Sequence, residues 1–349
     1  MNNSTNIKVG ALVPTFNRVE YLSSAVKSVL EQSYNNLEII VIDNGSTDGT
    51  AEFMSGIKDT RVRYIVNDQN LGMIGSINKG VKLFSDEVEW CTVLSDDDLL
   101  DKDFVKNLLQ SVVASGARSV IHSHRIFIDS HGNRIREAKP SPREETAFDY
   151  MIMRAEYKRE TYLTGVLFDR RAFIDIHGYP SFTTGLASDD AFIFALALKD
   201  RLVFDQNAVA YIRLHQGAES ATALDGIKKL RTLDEFADYC KTAARASSPP
   251  DQDKLREFEQ SLNKYFRALS SEYWVKAGHC AGQVNGNRKQ LAELIALARE
   301  NPGRFTFRVK LAVGCYRITG IFPESYSWYS ALWEKIKAMA HFLRSHRLT

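Results

Sequence analysis

Between residues 7 and 129 the chain repeats one pattern, a short β-rich apolar run followed by a stretch with apolar residues three and four apart. The runs are IKVGALVP, LEIIVID, VRYIV, WCTVLS and SVIHSHRIFID; the stretches between them are YLSSAVKSVLEQ, TAEFMSGI, IGSINKGVKLF and KDFVKNLLQSVV. Parallel strands need long return connections, so alternation of this kind predicts strands joined by right-handed helical crossovers. The expected fold class is α/β: an open, mostly parallel sheet flanked by helices, followed by a helical C-terminal region.

The alternation breaks after residue 140. Pro140, Pro142 and mixed charges lead to TYLTGVLFDRRAF, then to a helix opening at Ser188-Asp189-Asp190, then to two β-like runs, RLVFD and AVAYIRLH. From 222 the pattern is helical, with a break at Ser247-Ser248-Pro249-Pro250. The domain boundary is therefore placed at 221, giving 1–221 and 222–349. Charge divides there too: residues 1–221 hold 24 basic and 30 acidic side chains, the remainder 21 and 13. The formal net charge of only +2 argues against nucleic acid as a partner. Four widely spaced cysteines, the absence of a basic-then-apolar start in MNNSTNIK, and the lack of about 18 consecutive apolar residues point to a cytoplasmic protein.

Ligands of open α/β sheets sit beyond the carboxyl ends of the strands. Three strands here run into polar clusters: Pro14-Thr15-Phe16-Asn17-Arg18, Asp43-Asn44-Gly45-Ser46 and Ser95-Asp96-Asp97-Asp98. These are expected to share one crevice. Three adjacent carboxylates repel one another unless a cation or fixed donors compensate them, and hard oxygen ligands at this density suit Mg2+ or Mn2+. The competing reading is a solvated turn with a capping Asp. In the second cluster, Asp43 has the chemistry to accept from a base N–H or a ribose hydroxyl, while Asp48 or Thr47 can cap the next helix. Asn70 and Gly72, with Asn78 beyond them, suit a phosphate-facing loop, although neither GxGxxG after a strand nor GxxxxGK[ST] is present. Asp189 and Asp190 at a helix start read locally as caps. His215 ends a β-like run, and an isolated His acquires a metal role only when it closes a cation shell. His122 and His124 lack the further ligands a zinc site needs.

Taken in order, VPTFNR at 13–18, VIDNGSTDGT at 41–50, Asn70-Leu71-Gly72, LSDDD at 94–98 and the succession Gly165, Asp189, His215 resemble the family 2 glycosyltransferases, of GT-A fold and bacterial polysaccharide or glycolipid type. The resemblance covers residues 7–221. It implies that Pro14, Thr15, Asn17 and Arg18 line a donor nucleotide pocket and that Asp43 contacts the base. It further implies that Asp96 and Asp97 face ribose and diphosphate, and that Asp98 and His215 bind Mn2+ or Mg2+. The later acidic pair resembles the family's Glu-Asp motif, with Asp189 as catalytic base, Asp190 as the alternative, and Ser188 where the family has Glu.

The expected activity is a metal-dependent, inverting transfer of a sugar from a nucleoside diphosphate, UDP by preference, to a hydroxyl of a glycan or lipid-linked acceptor. Two alternatives stand beside it: a nucleotidyltransferase acting on a sugar phosphate, disfavoured by PTFNR where a Gly-rich basic loop belongs, and a non-catalytic sugar-nucleotide or glycan-binding protein. Leu332, Trp333, Ile336, Met339 and Leu343 recur at helical spacing among Lys335, Lys337, Arg344 and Arg347. That stripe suits either packing on the catalytic domain or peripheral contact with the inner membrane face.

Overall fold

In a computed structural model of the chain, the described residues are 6–160, 162–215, 226–247 and 252–282, with 292–293 and 295–296. The C-terminal stripe from 332 lies outside them. Two compact units divide the chain, one of Met1–Thr222 and Glu235–Leu262, the other of Ala223–Asp234 and Asn263–Thr349. No helix among the described residues is long and apolar enough to cross a membrane.

The first unit opens with β1 (Lys8–Thr15), α1 (Val19–Leu30), β2 (Leu37–Asp43), α2 (Thr50–Ser55), β3 (Val62–Val66), α3 (Gly72–Lys82) and β4 (Val88–Val93). There follow β5 (Leu99–Leu100), α4 (Phe104–Ser115), β6 (Val120–Ile128), β7 (Arg134–Glu137), β8 (Glu144–Glu145) and α5 (Ala147–Ala155). The order continues with β9 (Val166–Asp169), α6 (Arg170–Asp175), α7 (Ser188–Ala197) and β10 (Leu202–Arg213); α8 (Gly226–Ala246) and α9 (Gln252–Gly282) come last.

One sheet takes the strands in the order β3-β2-β1-β4-β9-β6-β10-β5, with β7 beside β6 and β8 beside β10. The half β3-β2-β1-β4 is parallel, as the alternation predicts. All seven residues of β2 are buried, as expected of a parallel strand covered by helices on both faces. Pro14 pairs with Ile42 of β2 but lies past the last β1–β4 pair, Leu12 with Val93, so its missing N–H breaks no ladder bond there.

The second half departs from simple alternation. β9 inserts antiparallel between β4 and β6, so these two strands are not neighbours. The two β-like runs before His215 form one strand, β10, whose register against β6 shifts between Asp205 and Val209. Asp205 holds that irregularity by accepting from the Asn207 N–H at 2.7 Å and the Ser111 hydroxyl at 2.6 Å.

Helix α7 is buried on every face. Phe194 on it stacks 5.2 Å from Phe258, at the start of α9, and Phe258 meets Phe148 of α5 edge-on at 5.5 Å. The helix that begins with Asp189 and Asp190 is thus fixed by aromatic packing.

Candidate active site

The site begins at the ends of β1 and β4. The Thr15 hydroxyl donates to Asp96 Oδ2 at 2.8 Å. Arg18 bridges Asp96 Oδ1 at 3.3 Å and Asp97 Oδ2 at 2.9 Å. His215 Nε2 lies 3.0 Å from the same Asp97 Oδ2. Asp98 instead accepts from the Arg213 backbone N–H at 2.8 Å, so His215 is paired with Asp97 rather than with Asp98. The triplet is held from both sides, because β5 begins directly after it and pairs with Ala210 and Tyr211 of β10.

Arg213, which sequence reasoning missed, clamps this region. Its Nε donates to the Asp97 carbonyl at 2.8 Å and its NH1 to the carbonyls of Asp129 and Ser130 at 3.0 and 3.1 Å. The only sequence hint is a basic residue inside an apolar strand two positions before His215.

Burial pushes Asp96 up to about 6, with Arg18 pulling down and Asp97 pushing up. Asp98 is driven upward by burial first and by Asp97 second. Oxygen donors of this kind next to an imidazole nitrogen have the chemistry that hard divalent cations favour, although among the described residues no three such side chains are placed together to hold a metal ion.

The remaining expected donor-side residues surround this cluster. Asp43 Oδ1 accepts from the Ser46 N–H and hydroxyl at 2.9 and 2.6 Å, and Oδ2 from the Tyr64 hydroxyl at 2.5 Å. Asn17 sits at φ 52°, its side-chain Oδ1 accepting from the Thr47 N–H at 2.7 Å and its backbone N–H donating to Ser46 Oγ at 2.8 Å. Those bonds tie the loop after β1 to the loop after β2. Asn70 turns back on the Gly72 N–H at 2.8 Å. Asn44, named in the sequence only as part of the second polar cluster, organises that loop from below. Its Oδ1 accepts from Asn67 Nδ2 at 2.9 Å, Ser76 Oγ at 2.8 Å and the Leu71 N–H at 3.1 Å.

Asn78 is engaged elsewhere. Its amide pairs with the Tyr179 backbone at both ends, accepting at 2.8 Å and donating at 2.9 Å. Gly178 precedes that contact at φ 91°, with Asn78 Oδ1 where a β-carbon would stand. The anchored Tyr179 then donates its hydroxyl to Asp189 Oδ1.

The acidic pair divides between two environments. Asp189 is half-buried; its Oδ2 accepts from the Leu163 N–H at 3.0 Å, and burial, its leading influence, raises its carboxyl to about 6. Asp190, 3% exposed, is paired with Arg154 Nε at 2.8 Å and with the Tyr150 hydroxyl at 3.3 Å. The segment 162–165 connects the two ends of the site. Leu163 reaches Asp189, while the Thr164 hydroxyl accepts from the Ser95 N–H at 3.1 Å and also bonds Asp98.

Residues 11–176 match the profile of Glycosyl transferase family 2. Among curated relatives, glycosyltransferase GlyG of Streptococcus pneumoniae is 31% identical over 36% of this chain and 42% of its own. The GalNAc(5)-diNAcBac-PP-undecaprenol β-1,3-glucosyltransferase of Campylobacter jejuni is 37% identical over 30% of this chain and 34% of its own. The matched part thus spans less than half the length of either relative. Among solved structures, residues 1–349 of S. aureus TarS in complex with UDP-GlcNAc superpose with a TM-score of 0.64 at 15% identity, covering 83% of this chain and 80% of that one. That likeness shows the fold, and it is GT-A. The similarity carried by residues 11–176, with their strand-end acidic triplet, is to glycosyl transferase family 2.

Proposed function

We propose that the protein is a metal-dependent, inverting glycosyltransferase that moves a sugar from a UDP-linked donor to a hydroxyl of a bacterial glycan or lipid-linked acceptor. The observation carrying this reading is the separation of roles among the carboxylates. One group, Asp96, Asp97 and Asp98 with Arg18 and His215, is concentrated for diphosphate and cation chemistry. Asp189, half-buried and poised near 6, suits proton abstraction. The UDP-GlcNAc complex of TarS and the lipid-linked glycan in the name of the Campylobacter relative support the choice of donor and acceptor class.

In this mechanism Thr15, Arg18, Asp43 and the 70–72 loop receive the nucleotide. Asp98, Asp97 and His215 are the residues that would hold Mn2+ or Mg2+, and the ion would supply positive charge for the diphosphate leaving group. Arg18 adds a second cation there, shifting from its carboxylate partners toward the phosphates. Asp189 takes the proton from the attacking hydroxyl on the opposite face of the sugar, Tyr179 and the Leu163 amide holding the carboxylate in place. A single displacement inverts the anomeric centre.

Thermal shift against a panel of UDP-, GDP- and dTDP-sugars, with and without Mn2+, tests the donor assignment, since a donor stabilises the fold by mass action. Stabilisation by a UDP-sugar only with metal is expected. A response to nucleoside triphosphates with release of pyrophosphate would overturn it, and retained anomeric configuration in the NMR spectrum of the product would overturn the single displacement.

A further inference from the structure

A buried cation lies behind the proposed base. Arg125, on β6 and only 4% exposed, donates from Nε to the Thr164 carbonyl and from NH2 to the Tyr162 carbonyl, both at 3.1 Å. Its NH1 lies 3.3 Å from His122 Nδ1. A guanidinium only donates, so that imidazole nitrogen accepts and the ring proton sits on Nε2. Burial, seconded by Arg125, lowers the His122 pKa well below its ordinary range and keeps the ring neutral. These contacts are two carbonyls and a neutral ring, which orient a guanidinium without neutralising it. Burying such a charge is costly, and an apolar residue would serve packing alone better.

The two carbonyls belong to the residues on either side of Leu163, whose N–H donates to Asp189 Oδ2 at 3.0 Å. The backbone crosses Arg125 closely. At Gly165, φ 97°, an added β-carbon would lie 3.2 Å from Arg125 Nε and 2.7 Å from Ser123 Oγ, so glycine alone fits. We propose that Arg125 is a positioning residue for Asp189, clamping the backbone on both sides of Leu163 so that the Leu163 amide meets the base in a fixed geometry. The proposal rests on the reading of Asp189 as base.

The guanidinium also acts through charge. Burial raises the Asp189 carboxyl most and Asp190 raises it further, whereas the Tyr179 hydroxyl, the Leu163 amide and the Arg125 charge lower it. Asp190 is itself held by Arg154 and Tyr150. Removing the Arg125 charge must therefore move the Asp189 titration to higher pH, an effect that a packing role alone does not produce.

The test compares Arg125→Met, Arg125→Lys and Asp189→Asn in the full chain. The Asp189 midpoint is read by carboxyl 13C NMR, and UDP release is followed from UDP-GlcNAc and UDP-glucose with Mn2+. Arg125→Met should raise the midpoint and lower kcat about 10²-fold with donor KM little changed, as expected when a catalytic group is misplaced. Arg125→Lys keeps the charge but not the forked donors, so its midpoint should stay near that of the native protein while kcat still falls. An unmoved midpoint and unchanged kcat in folded Arg125→Met overturn the proposal; so does failure of both variants to fold, which would make Arg125 a core residue. Asp189→Asn separates the two ideas: full UDP release in that variant removes the base assignment itself, whereas an inert Asp189→Asn beside an unaffected Arg125→Met overturns only the role of Arg125.

Discussion

Asp189 and Asp190 are neighbours on the first turn of α7, yet one is held by a neutral phenol and the other by a guanidinium. Tyr179 donates to Asp189, while Arg154 lies 2.8 Å from Asp190. Local sequence offers either residue as a base or a cap. Their partners suggest a division of roles: Asp190 is engaged by a guanidinium in a buried ion pair, whereas Asp189 is half-buried and its carboxyl is raised by burial, as suits a proton acceptor.

Asp189→Asn should therefore lose about 10²- to 10⁴-fold in turnover, the usual contribution of a general base, with donor affinity little changed. Asp190→Ala should act on the fold, leaving a charged Arg154 without its carboxylate at a cost of about 3 kcal/mol. Steady-state kinetics and thermal melts on both variants check the division. The reverse pattern would move the base to Asp190.

Activity should fall as pH drops through about 6, since the base works only when deprotonated and burial holds the Asp189 carboxyl near that value. Tyr179→Phe removes a donor that favours the ionised form, so the acid limb of kcat/KM should move to higher pH by about one unit. An acid limb that stays in place in this variant would detach Tyr179 from the base.

Asp48 serves two helix starts at once, accepting from the Val19 N–H at 2.8 Å and from the Thr50 N–H and hydroxyl at 3.2 and 2.7 Å. Asp48→Ala should cost about 2 kcal/mol in chemical denaturation by uncapping both α1 and α2. Burial opposes ionisation of Asp48, but the bonds from Thr50 and Val19 prevail and hold it below the usual carboxylate range. Its stabilisation is therefore full above the unfolded-state pKa and lost as pH falls through the folded one, so the native protein and the variant should converge in acid.

Asn44→Ala should loosen the 70–72 loop from beneath. It leaves the Asn67 amide, the Ser76 hydroxyl and the Leu71 N–H without their shared acceptor, at about 1–3 kcal/mol for each group that finds no substitute. Weaker thermal stabilisation by UDP-sugar is expected along with a lower melting temperature. Unchanged donor binding in a destabilised variant would confine Asn44 to the fold.

Asp98→Asn should abolish the Mn2+-dependent part of donor stabilisation, since an amide is a poorer ligand than a carboxylate for a hard cation. The variant should fold without difficulty, because burial already favours the neutral form of Asp98 and an Asn side-chain oxygen still accepts from the Arg213 N–H. Undiminished metal response, measured by thermal shift with UDP-sugar, would remove Asp98 from the metal site.

The amino-acid order alone dictates the parallel half of the sheet, because alternating strands and amphipathic helices have few ways to bury both faces of a sheet. It also marked the Thr15, Asp43 and Asp96–Asp98 clusters, since the end of a strand is readable from where an apolar run stops. It could not order β9 between β4 and β6, nor merge two apolar runs into β10, because strand neighbours are chosen by pairing across the whole chain. The same distance hid the partners. Arg213 reaches Asp98 across 115 positions, His215 reaches Asp97 across 118, and Asn78 reaches Tyr179 across 101. Hydrogen-bond geometry is a property of atoms brought within about 3 Å, and residues far apart in the chain meet at that range only after the sheet has closed around them. Arg125 is the plainest case: in sequence it is one basic residue in a β-run, and only the path of 162–165 across it ties its charge to Asp189.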